Sequence, residues 1–108
     1  GRDLDDYLRL CNVCDKILKN YSNIEIVSGA CKGADQLGER YAAARNFSIK
    51  QFPADWKQYG KSAGYKRNAE MAAYADALIA FWDGKSKGTK HMIELATQAN
   101  LNIKVIYF

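Results

Sequence analysis

The chain carries one proline, one histidine and three cysteines among its 108 residues, and it has no long apolar run. Each scarcity excludes something. Without a stretch near the ~20 apolar residues that a bilayer crossing needs, no membrane segment is expected. The opening GRDLDD lacks the basic and apolar regions of a signal peptide, so a cytoplasmic location is expected. An odd number of thiols argues against a disulfide framework and fits a reducing compartment. Cys11 and Cys14 stand at CxxC spacing, but they fall inside a helical pattern without a second pair, and His91 is far along the chain. They read as small packing residues, so no metal site is expected, and no cofactor is called for. The scarcity of Pro, with eight Gly, 48% hydrophobic and 26% charged residues, describes a folded soluble protein, and the length fits one domain over residues 1–108.

What is present is an alternation. Asp3 precedes a helical stripe of Leu4, Tyr7, Leu8, Cys11, Cys14 and Leu18, which predicts a first helix ending near Asn20. IEIVS (residues 24–28) has the short β-branched character of a buried strand and runs into GACKG. A second helix is expected over 34–45, then a strand in SIKQFP (48–53), stopped by the only proline and nearer a sheet edge. ADWKQYGKSAG reads as a long loop. Ser62 is placed to cap a third helix with Tyr65, Ala69, Ala72 and Ala73 on its apolar face. ALIAFW (77–82) is the most hydrophobic strand, a fourth helix follows from about Gly88 to Ala99, and IKVIYF (103–108) closes the chain. Alternating helices and strands imply an α/β fold with a mainly parallel sheet and helices on both faces.

In such a sheet the loops GACKG, ADWKQYGKSAG and DGKSKGT share one edge, beyond the carboxyl ends of the strands. Gly29, Gly33, Gly84 and Gly88 would admit a ligand close to the backbone, and the helix starts offer N–H groups suited to an anion. Lys32, Lys61, Lys66, Arg67, Lys85 and Lys87 gather there, with Trp56, Tyr59, Tyr65 and Trp82 as stacking surfaces. Cations beside flat rings suggest a nucleotide. Asp35, Asp55 and Asp83 could accept ribose hydroxyls or simply cap turns, and His91 has no visible acid–base partner. The net charge of +4 is compatible with a polyanionic or phosphorylated partner. GxGxxG, GxxxxGK[ST] and HExxH are all absent.

The wording of IVSGACKGADQLGERYA, FPADW, AGYKRN and AFWDGKSKGT, together and in this order, resembles the YspA-like branch of the SLOG superfamily, which also holds DprA and the Lonely Guy enzymes. The resemblance implies a Rossmann-like, doubly wound fold and a first strand of the type VxVxGxRD, of which Gly1, Arg2 and Asp3 are present. Carried over to this chain, the ligand site comprises Ser28, Gly29, Lys32, Gly33, Ala34 and Asp35, then Asp55 and Trp56, Arg67 and Asn68, and Asp83, Gly84, Gly88 and Thr89. Relatives usually have Gly where this chain has Ala30 and Ala where it has Cys31. The phosphoribohydrolase branch has Glu three residues after its GT, where this chain has Met92, and Glu94 lies about 200° around the helix.

These features favour the binding or sensing of a nucleotide or nucleotide-derived ligand of ADP-ribose type. The alternatives are a hydrolase acting on an N-glycosidic or phosphate bond with Asp35, Asp55 or Asp83 as base, and a single-stranded nucleic-acid binder as in DprA. The expected partners are therefore a nucleotide-derived small molecule or nucleic acid and no membrane, and pairing through helices into a homodimer is compatible with the fold.

Overall fold

The computed structural model describes residues 2–30 and 34–107. The chain runs α1 (Arg2–Leu18), β1 (Glu25–Ser28), α2 (Ala34–Arg45), β2 (Ser48–Gln51), α3 (Trp56–Tyr59), a 3-10 turn (Gly60–Ser62), α4 (Ala63–Tyr74), β3 (Ala77–Trp82), α5 (Lys87–Gln98) and β4 (Asn102–Tyr107). Both strand pairings are parallel, β1 with β2 and β3 with β4, as the α/β alternation requires.

The pairs do not merge. Among the described residues they form two separate two-stranded sheets instead of the single sheet expected from the sequence, so each of the four strands keeps one unpaired edge. Helices tie the pairs together instead. Tyr7, Leu10, Cys11 and Cys14 of α1 and Tyr41 of α2 form a buried cluster, against which Leu37, Phe47 and, from β3, Ile79 and Phe81 pack. α4 in turn reaches β1, with the Arg67 guanidinium on the Gly29 carbonyl and the Tyr74 hydroxyl donating to Glu25.

The stripe that buries α1 is Tyr7, Leu10, Cys11, Cys14 and, partly, Leu18, at the i, i+3, i+4 spacing of one helix face. Leu8, expected on that stripe, lies about 100° away from Tyr7 and is 51% exposed. Arg45 fastens α1 to α2 through a two-pronged contact with Asp15, at 3.0 Å from Nε and 2.9 Å from Nη2. The buried Tyr41 hydroxyl donates to the same carboxylate at 2.7 Å. These donors hold the Asp15 carboxyl below its ordinary pKa, with Arg45 the larger influence. Burial pushes the Cys14 thiol up to about 11, with Cys11 and Asp15 adding to the effect.

Two helices end in the same way. Asn46 and Asn100 take left-handed conformations (φ 58° and 61°). Behind them Phe47 N–H reaches the Ala42 carbonyl and Leu101 N–H reaches that of Ala96. Asparagine tolerates this conformation better than most residues, so each helix stops where its Asn stands.

The stretch expected as a long loop contains a turn of helix. The Asp55 carboxylate accepts the Gln58 N–H at 3.1 Å and starts α3. The signal D-x-x-Q was present in the sequence. Ser62 precedes α4 but its hydroxyl donates back to the Tyr59 carbonyl and makes no cap. α4 buries Ala63, Asn68, Met71 and Ala72; of the expected face only Ala72 is buried, and Tyr65, Ala69 and Ala73 are exposed. Small alanines on several sides of this helix left its sequence pattern weak.

Candidate functional site

β1 delivers two small residues to the carboxyl edge of its sheet. Ser28 is 1% exposed, and its hydroxyl donates to Glu39 at 2.6 Å and accepts the Ala30 N–H at 3.1 Å. It anchors the turn and does not face the cavity. Ala30 has φ 57°, the left-handed region where a side chain costs energy, so the turn after Gly29 is held against local preference. Glu39 also accepts Gln51 Nε2 and so links α2 with both strands of the pair. Asp35 and Glu39 are four residues apart and share a face of α2, a spacing that could have marked Glu39 as part of the site.

Gly29 is buried and closely surrounded. A Cβ there would lie 2.5 Å from Arg67 Nη1 and 2.8 Å from Asp35 Oδ2. Arg67 donates from Nη1 to the Gly29 carbonyl at 2.5 Å and from Nε to Asn68 Oδ1 at 3.0 Å. Asn68, 7% exposed, points its amide at the Gly88 carbonyl and at His91 Nδ1, both at 3.4 Å. Tyr65 meets the His91 ring edge-on, with centroids 4.7 Å apart. A continuous polar chain thus joins the end of β1, the first turns of α4 and the start of α5.

Beside that chain is a cavity of about 340 Å3 lined by Trp56, Lys61, Gly64, Tyr65, Arg67, Asn68 and Gly88. Gly64 lies between two of these side chains, where an added Cβ would make ordinary contact with the Trp56 ring at 3.6 Å and Arg67 at 3.9 Å. The lining pairs two aromatic rings with two cations, a composition suited to a flat, anionic ligand.

The loop into α5 is built by its own hydrogen bonds. The Asp83 carboxylate accepts the N–H groups of Lys85 and Ser86, each at 2.8 Å, which holds its pKa below the ordinary carboxylate range. Ser86 caps α5 by accepting Thr89 N–H, Thr89 Oγ1 donates to Ser86 Oγ, and Trp82 Nε1 donates to the Ser86 carbonyl. Gly84 adopts φ 82°, which the tight turn requires.

The structure therefore brings together Gly29, Asp35, Arg67, Asn68, Gly88 and Trp56 from the expected set. Ser28 and Asp55 serve local structure, and Asp83, Gly84 and Thr89 shape the adjoining turn without lining the cavity. Ala34 opens α2. Lys32 and Gly33 lie outside the described residues. The expected set lacked Lys61, Gly64, Tyr65 and His91. Tyr65 and Lys61 had been legible only as members of a general aromatic and basic edge. Among the described residues, no group of three or more His, Cys, Asp or Glu is placed to hold a metal ion, and no helix is long and apolar enough to cross a membrane.

A family profile described as "YspA, cpYpsA-related SLOG family" matches residues 1–59. The chain belongs to this SLOG family. It is also similar to Gene 61 protein of Mycobacterium phage D29, 33% identical over 97 residues that span 84% of this chain and 78% of the phage protein. No solved structure matches. The SLOG profile covers α1 to α3, and hence Gly29, Asp35 and Trp56, whereas Arg67, Asn68 and Gly88 lie beyond the matched residues.

Proposed function

We propose that this SLOG protein binds a nucleotide or nucleotide-derived ligand of ADP-ribose type in the cavity between α3, α4 and α5. The observation that carries the reading is the lining: Trp56 and Tyr65 offer ring faces while Lys61 and Arg67 supply positive charge in one 340 Å3 space. A base stacks on the rings, and the phosphate takes Arg67 and Lys61. Family membership supports nucleotide-related binding in general. The two parallel strand pairs are compatible with the doubly wound arrangement expected of such a nucleotide site.

The hydrolytic alternative draws less support. Of the three carboxylates it would use as base, Asp55 caps α3 and Asp83 caps the turn before α5. Asp35 remains, beside the Arg67 guanidinium.

Isothermal titration with AMP and ADP-ribose tests the reading. Saturable binding is expected, weakened roughly 10- to 100-fold by Arg67→Ala through loss of a charge-assisted contact. Binding that Arg67→Ala and Trp56→Ala leave unchanged would move the ligand away from this cavity.

A further inference from the structure

The excess charge of the chain is concentrated. Segments 55–67 and 83–90 hold seven of the sixteen Lys and Arg residues but two of the twelve Asp and Glu, a net of +5, leaving −1 for everything else. Those two acids are Asp55 and Asp83, both turned onto backbone N–H groups. The segments meet in space, because the cavity is lined by Trp56, Lys61 and Arg67 from one and Gly88 from the other.

The same edge exposes more aromatic surface than one nucleotide covers. Trp56, Tyr59 and Tyr65 are 56%, 41% and 52% exposed. Trp56 and Tyr65 line the cavity, whereas Tyr59 stands outside its lining, three residues past Trp56 on α3, with the Lys66 ammonium 4.7 Å from its ring centroid. A free mononucleotide has one base and leaves Tyr59 unused. Rings that alternate with cations match a strand in which bases alternate with phosphates.

Resting on the nucleotide reading above, we propose that the cavity receives the terminal nucleotide of a single-stranded nucleic acid, and that the next base stacks on Tyr59 while the following phosphates meet the lysines of the two segments. The occupant is a polynucleotide end, recognised by stacking and charge.

Fluorescence anisotropy with labelled oligothymidylate of about ten nucleotides, inside the ~4–16 that single-strand sites cover, tests this against thymidine monophosphate. The oligomer is expected to bind at least about tenfold more tightly at low salt, and its affinity to fall with a log–log salt slope of about −1.4 to −2.8, corresponding to roughly two to four phosphates. Tyr59→Ala is expected to weaken the oligomer about tenfold while sparing the mononucleotide, and Tyr59→Phe to restore it; Trp56→Ala should weaken both. If thymidine monophosphate binds and the oligomer binds no more tightly, the strand proposal falls and the pocket reading stands. If neither binds while AMP or ADP-ribose does, the strand proposal falls and the pocket reading stands; if none of the four binds, both fall. Equal binding of heparin, or indifference of the oligomer to Tyr59→Ala, would reduce the surface to bulk charge and overturn the proposal.

Discussion

Gly29→Ala separates the packing of the site from the packing of the core. The added methyl would stand 2.5 Å from Arg67 Nη1, 2.8 Å from its Cζ and 2.8 Å from Asp35 Oδ2, all inside van der Waals contact. Every one of these atoms is the end of a side chain, so the fold can yield by swinging Arg67 and Asp35 away. Overpacking of this kind costs about 1–3 kcal/mol, and the lower half applies where flexible ends give way. A fall in Tm of about 4–8 °C per kcal/mol follows for a chain of this size. The consequence for binding is larger. Displaced, the guanidinium loses its 2.5 Å bond to the Gly29 carbonyl and its aim at the cavity. A hydrogen bond from the guanidinium to the ligand contributes ~1.5–3 kcal/mol, so affinity for AMP should drop by no more than the roughly 10- to 100-fold expected of Arg67→Ala. Calorimetric titration and thermal melts give both quantities. Combining Gly29→Ala with Arg67→Ala should cost less than the sum of the single changes, since both remove the same contact. A Gly29→Ala protein that melts and binds as the parent does, or strictly additive losses, would refute this account of the Arg67 clasp.

Ala30 occupies φ 57°, so Ala30→Gly should relieve up to about 1 kcal/mol of backbone strain and raise the urea midpoint; no change would show that the turn is not left-handed there. The Asp15 carboxyl, depressed chiefly by Arg45 and then by Tyr41, contributes stability that is complete above its unfolded pKa of ~3.9 and is lost as pH falls through its lower folded value. Melting from pH 6 down to pH 2 should therefore show a smaller acid loss in Asp15→Asn than in the parent, and identical slopes would contradict the contact. Cys14, buried and pushed up to about 11, should resist a thiol-exchange reagent at about pH 8 in the native protein and react once urea unfolds it; rapid native labelling would place it at the surface.

How much was legible in the sequence depended on whether the deciding interaction was local. The β-branched run at β1 and the apolar run at β3 declared themselves, as did the helices around Tyr41 and Leu95, whose limits fell within a residue or two of Ala34–Arg45 and Lys87–Gln98. Parallel pairing followed from alternation alone. The α3 turn was missed because its start depends on one carboxylate, Asp55, choosing a backbone N–H over a ligand or solvent. At the site, Gly29, Trp56, Arg67, Asn68 and Gly88 were legible as loop and helix-start residues. Nothing local showed that the Asn68 amide would be buried against Gly88 and His91, twenty and twenty-three residues away.

Element order and strand polarity were legible in the chain alone, because periodicity and turn chemistry are properties of neighbouring residues. Only the folded chain decided that Ser28 turned inward to Glu39, that the Asn68 amide met Gly88 and His91, and that, among the described residues, the strands paired as two separate sheets. Those outcomes depend on which backbone groups and side chains meet across ten or more residues. A one-dimensional pattern carries no distance between them.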